Sequence, residues 1–458
     1  SLADKADLAD IKFNNLGPIE TGQITLNDLT ILCGNNNTGK TYVTNSIYSI
    51  YKEWTSLIAW QLPDQKITDL AENGFFEVNI EDDLISDWEA RCRLGSLKFP
   101  LRVLPEQFAT SKERFEKTKF DISLKINEDW QKKSHSILIF PFIRLTKDAD
   151  SPILKVLCDD LDRLKELPKI FIKSLVRRRI LDLIFPINVF LCTAERTGAT
   201  AFRNRIKFDE QVILKLLQDL PEDNQSYSPF NRDYASPIED NLRFLDQVDN
   251  LNRRKRKKNF LDENPDVLDA FKKITSGSYK IQETTRDMIF CPNAIKDENV
   301  ELRIGESSTS VRSLLMIWYW LHFMAQRNQI LMIDEPELNL HPKNQRLFSR
   351  FIALLVKKGI KVFITTHSDY IIRELNNLIL MNHNAAHMEA VKEKNGYESW
   401  EDLDPKKVNV YVTKFDHNKK CIQLENVVVD PIKGININSF DDEIIKLNNI
   451  QDALLFGE

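Results

Sequence analysis

The residues best suited to chemistry in this chain form a glycine- and asparagine-rich run near its start. Residues 34–41 read Gly-Asn-Asn-Asn-Thr-Gly-Lys-Thr and fit the pattern GxxxxGK[ST], in which backbone N–H groups surround nucleotide phosphates. The Lys40 amine would reach the β- and γ-phosphates, and the Thr41 hydroxyl would bind Mg²⁺. The predicted nucleotide-binding residues of this segment are Gly34, Asn35, Asn36, Asn37, Thr38, Gly39, Lys40, Thr41 and Tyr42.

A pair of acids forms the second candidate site. Gln329–Asp334 is a nearly continuous apolar run that ends in a carboxylate, and Glu335 follows directly. A buried parallel strand would deliver both acids to its carboxyl end. Asp334 would hold Mg²⁺, directly or through water, and Glu335 would polarise the water that attacks a γ-phosphate. The alternative is a solvated turn, which the apolar residues upstream disfavour.

The elements that must position these groups follow from the apolar pattern. Leu29–Cys33 predicts a buried strand before the glycine-rich loop, and Tyr42–Tyr51 predicts a helix after it. Beyond the acids we predict a helix over Lys343–Lys357 and a further strand over Lys361–Thr366, which ends at His367. Strands that alternate with helices indicate an α/β fold. Taken alone, His367 would more often cap a helix than act in a site.

Composition limits the class of protein. The chain has 458 residues and is 42% hydrophobic, with a mean hydropathy of -0.35, which is typical of a globular protein of several domains. A net charge of -5 makes nucleic acid a secondary rather than a primary partner. The six cysteines are scattered without a CxxC pair, which indicates reduced thiols. Without a membrane-length apolar run or a secretion signal, we expect a cytoplasmic location and no membrane partner.

Two segments around the acids, and one before them, resemble a known branch of ATPases. Asp334–Pro342 and Thr365–Ser368 are similar to the Walker B, D-loop and switch segments of ABC-type ATPases of the SMC/RecF/OLD branch. Gly305–Val311, which precedes a predicted helix over Arg312–Ala325, resembles the degenerate signature motif of that branch. The resemblance implies an α/β fold, a P-loop ABC-type ATPase head. It also implies ATP and Mg²⁺ as cofactors.

Further residue roles are implied by the same resemblance. His367 would be the switch histidine that contacts the γ-phosphate. Ser307 and Ser308 would meet the γ-phosphate of a neighbouring subunit, although the same serines would also serve as an ordinary helix cap. The run Thr413–Asp416 imitates the guanine-reading TKxD element of GTPases, but the surrounding motifs favour ATP.

The signature segment has a consequence for assembly. In ABC-type folds it lies too far from the P-loop of its own chain to touch the same nucleotide. One P-loop and one signature per chain therefore imply a homo-oligomer built from head-to-tail ATPase pairs that enclose two ATP molecules.

The order of these motifs divides the chain into four predicted parts. Residues 1–200 form an N-terminal ATPase lobe with the P-loop, and residues 201–275 form an inserted helical hairpin, a short coiled coil. Residues 276–380 form a C-terminal ATPase lobe with signature, Walker B and switch histidine, and residues 381–458 add strands and a closing helix. The hairpin prediction depends on apolar residues at coiled-coil spacing, namely Ile238, Leu242, Leu245, Val248 and Leu251.

Two other stretches give weaker signals. Leu154–Leu183 predicts a helical region that is interrupted near Pro168. The basic run Arg253–Lys258 would bind phosphates or an acidic protein, or else form a solvated helix end.

Four segments resemble a narrower family. Leu16–Ile19, Asp28–Ile31, Gly39–Tyr42 and Ala194–Gly198 together are similar to the ATPase subunits (AriA) of PARIS antiphage defence systems, and the Septu ATPase subunit (PtuA) is the rival resemblance. Arg196, in the last of these segments, is a candidate phosphate- or interface-contacting arginine, since no Q-loop glutamine is evident in the sequence. The resemblance implies a scaffold and sensor that holds a separate toxin nuclease of the TOPRIM type (AriB-like) inactive. A phage-encoded trigger protein, typically a DNA mimic, would release the toxin.

A DNA-binding ATPase is the alternative to the defence role. The same motif order also suits a repair or recombination ATPase of the RecF/SMC type, which would clamp DNA directly. ATP-dependent, salt-sensitive binding to duplex DNA would favour that alternative.

Overall fold

The computed structural model describes residues 9–126, 129–200, 235–253, 259–282, 284–285, 287–293, 300–383, 385, 387–416, 418–436 and 449–450. Its strands are β1 (Ala9–Leu16), β2 (Ile19–Thr25), β3 (Leu29–Gly34), β4 (Phe75–Asn79), β5 (Lys119–Leu124), β6 (His135–Phe140), β7 (Ile143–Lys147), β8 (Ile153–Cys158), β9 (Val189–Cys192), β10 (Gly277–Ile281), β11 (Met288–Pro292), β12 (Leu302–Arg303), β13 (Ile330–Asp334), β14 (Lys361–Thr366), β15 (Val408–Asp416), β16 (Cys421–Val427), β17 (Val429–Asp430) and β18 (Gly434–Ile435).

Helices cover both faces of the main sheet. They are α1 (Lys40–Lys52), α2 (Trp54–Leu57), α3 (Asp64–Asn73), α4 (Trp88–Arg102), α5 (Leu104–Gln107), α6 (Asp129–Lys132), α7 (Leu161–Glu166), α8 (Lys169–Ile184), α9 (Ser236–Arg253), α10 (Phe260–Glu263), α11 (Pro265–Thr275), α12 (Thr309–Phe323), α13 (Pro342–Lys357), α14 (Asp369–Met381) and α15 (Met388–Lys394).

The main sheet brings the predicted site together at one edge. Within the described residues its strand order is β5-β1-β2-β16-β15-β3-β14-β13-β9. The five strands from β15 to β9 are parallel, so their carboxyl ends meet at the same edge. Strand β14 lies between β3 and β13, and it pairs Thr366 with Cys33 and Thr365 with Asp334. The P-loop, the acid pair and His367 therefore leave neighbouring strands side by side.

The apolar runs become central strands because the sheet has a core on each face. Every residue of β3 is buried, and Leu32 points into one core while Ile31 and Cys33 point into the other. The first core is filled by helices α1–α8, and the second by helices α9–α14. Continuous apolar sequence is what a strand covered on both sides requires. The predicted strands and helices around the P-loop and the acids are confirmed to within about two residues.

One predicted helical region is partly wrong. Residues 153–158 form β8, in a four-stranded antiparallel sheet with the order β4-β8-β7-β6, and helix begins only at Leu161. Buried and exposed residues alternate along the start of β8, where Leu154 and Val156 are buried around Lys155. A short apolar run is compatible with a helix or a strand. Here the run forms a strand because it pairs with β4 and β7.

The described part of the predicted hairpin packs on the head. In α9, Leu245 and Val248 belong to the predicted coiled-coil stripe and are buried in the second core together with Phe244. Residues 201–234 of the predicted hairpin and residues 254–258 of the basic run lie outside the described residues. The division at residues 200, 275 and 380 stays a prediction.

The C-terminal strands belong to the main sheet. Strand β15 pairs with β3 in parallel and with β16 in antiparallel register, so β15 and β16 extend the same sheet that carries the P-loop. The predicted closing helix lies outside the described residues apart from residues 449–450. Within the described ranges, no helix combines the length and apolarity needed to cross a membrane.

Candidate nucleotide-binding site

The P-loop has the backbone shape that phosphate binding requires. Gly39 has φ +95°, and a Cβ added there would lie 2.9 Å from side-chain atoms of Pro18 and Ile19. A larger residue would therefore be strained as well as crowded. Helix α1 begins at Lys40, and the N–H groups of its first turn have no acceptor within the helix. These N–H groups and the helix dipole favour an anion at the loop.

The Lys40 amine lies at the centre of the loop. Its Nζ donates to the carbonyl oxygens of Gly34 and Asn35, each at 2.8 Å. Burial lowers the pKa of Lys40, and the carboxylates of Glu335 and Asp334 oppose that effect. Phosphate oxygens would replace the two carbonyls as acceptors and would favour the ammonium form.

The acid pair is held by one hydroxyl of the neighbouring strand. The Thr365 hydroxyl donates to Asp334 Oδ1 and accepts from the Glu335 N–H at 3.0 Å. Burial raises the pKa of Asp334, and the Thr365 hydrogen bond acts against it. A divalent cation beside Asp334 would offset the cost of burying its charge, and Thr41 would supply a second oxygen. Glu335 has φ +47°, a left-handed conformation that is uncommon for glutamate.

His367 lies between two glutamates at the end of β14. Its Nδ1 is 3.6 Å from Glu335 Oε1 and 3.3 Å from Glu337 Oε1. The same Glu337 oxygen accepts from the His367 N–H at 2.8 Å and from the Thr366 hydroxyl at 2.9 Å. Glu337 is 7% exposed. It was not predicted as a site residue, because nothing in the sequence distinguishes it from the other residues of the loop after the acids. It anchors the backbone and the ring of His367.

An open cavity joins these groups. Its volume is about 760 Å³, within the range of small-molecule sites, and it is lined by Pro18, Asn36, Asn37, Gly39, Lys40, Thr41, Tyr42, Asp334, Glu335, Leu338 and His367. The lining includes the Lys40 amine and the Thr41 hydroxyl at the start of α1, and the carboxylates of Asp334 and Glu335 at the end of β13. The donor set therefore fits a nucleoside triphosphate with Mg²⁺.

Tyr42 reaches this cavity from a fixed position. One face of its ring stacks on Phe108, with the ring centroids 4.9 Å apart, and the other face lies against the backbone of Gly17. The ring is thereby held between Phe108 and Gly17, and Tyr42 lines the cavity in this position. The N-terminal segment that contains Gly17 thus contributes to the site through Tyr42.

Arg196 has a different position from the one predicted. It is 1% exposed and does not line the cavity. Its guanidinium donates to the carbonyl oxygens of Ser313 at 3.1 Å, Thr193 at 3.0 Å, Asp334 at 2.7 Å and Glu335 at 2.9 Å. The prediction of a phosphate- or interface-contacting arginine is therefore wrong. A guanidinium can be buried here because its N–H groups meet carbonyl acceptors, and it ties β9 and helix α12 to the acid pair.

We expect Arg196→Ala to destabilise the protein by about 4 kcal/mol, since several buried carbonyls would lose their donor. Thermal and urea unfolding would measure the loss, and Arg178→Ala, at an exposed arginine, is the control with an expected change below about 0.5 kcal/mol. If Arg196→Ala unfolded like the wild type but no longer bound ATP, the structural role would be contradicted. That result would support the predicted contact between Arg196 and phosphate.

The predicted signature serines do not reach the cavity of their own chain. The Ser307 side chain is buried and contacts the carbonyl oxygens of Arg303 and Ile304. Ser308 caps helix α12 by accepting from the Val311 N–H at 3.3 Å. Neither serine lines the cavity around Lys40. The helix-cap interpretation is therefore satisfied within the chain, and any contact with nucleotide would have to involve a second copy.

The comparisons with known proteins place the chain in a family. Residues 7–372 match the AAA ATPase domain family, and because this match covers most of the chain, the chain belongs to that family. The predicted α/β P-loop ATPase fold is thereby confirmed together with the observed sheet. No match to the chain is found among curated proteins.

Several solved SMC head structures are similar over most of their length. One is an SMC head bound to the C-terminal winged-helix domain of ScpA, with 11% identity, 93% of this chain and 98% of that chain covered, and a TM-score of 0.37. The SMC head domain from Thermotoga maritima has 10% identity, coverage of 93% and 100%, and a TM-score of 0.34. A head with an extended coiled coil bound to the C-terminal domain of ScpA, derived from Pyrococcus furiosus, has 11% identity, coverage of 96% and 98%, and a TM-score of 0.33.

Proposed function

We propose that the chain binds and hydrolyses ATP. The observation that carries this proposal is the cavity at which the P-loop, the acid pair and His367 converge from neighbouring parallel strands. Lys40 and the loop N–H groups hold the phosphates, while Thr41 and Asp334 are the oxygen ligands for Mg²⁺, which when bound neutralises phosphate charge. Glu335 accepts a proton from the attacking water, and His367 contacts the γ-phosphate.

The arrangement of the serines supports a head-to-tail pair. Ser308 is exposed at the start of helix α12 and lies outside the cavity of its own chain, whereas the cavity itself is open. Two copies related head to tail would each place an exposed helix N-terminus on the other's nucleotide. Sedimentation with ATP and Mg²⁺ should detect the pair, and specific ATPase activity should rise with protein concentration. A monomer whose turnover is indifferent to dilution would overturn this part of the proposal.

Glu337 provides a test of the hydrolytic role of His367. We expect Glu337→Ala to lower kcat by about tenfold. The His367 N–H and the Thr366 hydroxyl would lose their acceptor, and the His367 ring would lose the carboxylate that holds it in place. The Kd for ATP should change less than about threefold, because Glu337 does not line the cavity. Steady-state kinetics and calorimetry would measure the two effects.

The conservative variant separates positioning from general damage. Glu337→Gln keeps an acceptor oxygen for both donors and should recover most of the lost kcat. Wild-type kcat in Glu337→Ala would show that Glu337 does not position the histidine.

We further propose that the ATPase acts as a scaffold and sensor in bacterial antiphage defence. It would sequester a separate TOPRIM-type toxin nuclease and release it when a phage-encoded protein, such as a DNA mimic, binds. The similarity of four segments to PARIS ATPase subunits supports this role, and two of those segments contribute Pro18 and Tyr42 to the cavity. The net charge of -5 disfavours DNA as the main ligand.

Purification of the Glu335→Gln form from its native operon tests this role. A nuclease subunit that co-purifies in defined stoichiometry, and that is released by a phage protein, would support the defence function. Long DNA alone, bound in an ATP-dependent and salt-sensitive manner, would overturn it in favour of a RecF/SMC-type repair function.

A further inference from the structure

The end of strand β15 places the buried hydroxyl of Thr413 in contact with the P-loop. Thr413 is 3% exposed and pairs with Gly34 in the parallel register of β15 and β3. A Cβ added at Gly34 would collide with the Thr413 hydroxyl, so the strand end and the loop fit closely. Thr413 Oγ1 lies 2.6 Å from Thr38 Oγ1, and Thr38 is part of the loop itself.

The hydroxyl contact continues to the P-loop lysine. Thr38 Oγ1 donates to the Asn35 carbonyl oxygen at 2.7 Å, and the same oxygen accepts from Lys40 Nζ at 2.8 Å. Because a hydroxyl has one hydrogen, Thr38 must then accept from Thr413. The other acceptor within reach of Thr413, the Cys33 carbonyl oxygen, is farther away at 3.3 Å. A chain of hydrogen bonds therefore runs from Thr413 through Thr38 and Asn35 to Lys40.

We propose that Thr413 is a positioning residue for the nucleotide, which rests on the ATP binding proposed above. When Lys40 turns towards the phosphates, the Asn35 carbonyl loses that donor and depends on Thr38. Thr413 then fixes the Thr38 hydroxyl and keeps the loop in its binding shape. Holding the loop ready lowers the ordering cost of binding.

Thr413 lies far along the chain from the P-loop that it contacts. It lies beyond residue 372, where the match to the AAA ATPase domain ends, so a strand outside that match supports the nucleotide loop. Thr413 also opens the Thr413–Asp416 run that imitates a guanine-reading element. It contacts the loop and does not line the cavity, so its role is support of the P-loop rather than reading of a base.

Replacement of the hydroxyl tests the proposal in the full chain. We expect Thr413→Val to raise the Kd for ATP about five- to tenfold, within the range for loss of one hydrogen bond, with kcat changed less than about twofold. Thr413→Ser keeps the hydroxyl and should bind within about twofold of the wild type. Calorimetry with ATP and Mg²⁺ and steady-state kinetics would give both constants.

The matched control is a second buried threonine on the P-loop strand. Thr30 is 0% exposed, and its hydroxyl accepts from the Asn27 N–H at 3.0 Å, at the end of β3 away from the loop. Thr30→Val should lower the melting temperature without changing the Kd for ATP. Equal Kd values in Thr413→Val, Thr30→Val and the wild type would overturn the positioning role.

A double-mutant cycle with Thr38→Val locates the effect. If the two hydroxyls act as one unit, the double variant should bind ATP no worse than Thr38→Val alone. Independent, additive losses would overturn the proposed hydrogen-bond chain. Failure of the wild type to bind ATP would overturn the proposed function together with this role, whereas normal binding by both wild type and Thr413→Val would overturn this role alone.

Discussion

Glu335→Gln is expected to bind ATP as the wild type does and to hydrolyse it about 10²- to 10⁴-fold more slowly, the range for loss of a general base. Glu335 directly follows β13 and lines the same cavity as Lys40. Its N–H is fixed by Thr365, and its carboxylate is 3.6 Å from the ring of His367. Glutamine keeps this size and shape but cannot take the proton of the attacking water.

Binding and chemistry must be measured separately to test this variant. Calorimetry should give a Kd near that of the wild type, and single-turnover assays should show the loss in the chemical step. Glu89→Gln, on the exposed side of helix α4, is the control for removal of one negative charge. If Glu335→Gln retained full turnover, the base would have to be another group of the cavity, and our assignment of Glu335 would be wrong.

The parts of the site that could be predicted are those with strong local signals. The run Ile330–Asp334 is apolar up to a terminal acid, and the glycines of the P-loop stand directly between a strand and a helix. Such segments indicate both their secondary structure and their burial. A run in which every residue is apolar is typical of a central strand that is covered on both faces. The position of each motif directly after a predicted strand then places the P-loop, the acid pair and His367 at the strand ends.

The parts that could not be predicted depend on neighbours distant in sequence. The contact between Thr38 and Thr413 joins residues 375 apart and follows from the order of strands in the sheet, which no local pattern specifies. Arg196 was predicted as a phosphate- or interface-contacting residue, and only the backbone carbonyls of three segments distant in sequence explain its burial. Glu337 likewise gains its role from the strand that carries His367.

Lys40→Ala is expected to raise the Kd for ATP at least about a hundredfold and to abolish detectable hydrolysis. Hydrogen bonds to charged groups contribute about 1.5–3 kcal/mol each, and the ammonium would make such bonds to the β- and γ-phosphates. Lys40 Nζ donates to the carbonyl oxygens of Gly34 and Asn35, so the amine is already at the centre of the loop. Among the described residues no other lysine or arginine lines the cavity, so no second ammonium or guanidinium would compensate.

The assembly provides an independent readout of the Lys40 variant. If nucleotide joins two heads, Lys40→Ala should remain monomeric at ATP concentrations that pair the Glu335→Gln form, while its melting temperature stays close to that of the wild type. Lys12→Ala, at an exposed lysine of β1, is the control for loss of a positive charge and should pair normally. Pairing of Lys40→Ala to the wild-type extent would mean that the heads associate without a gripped triphosphate, because this substitution removes the ammonium that holds its terminal phosphates.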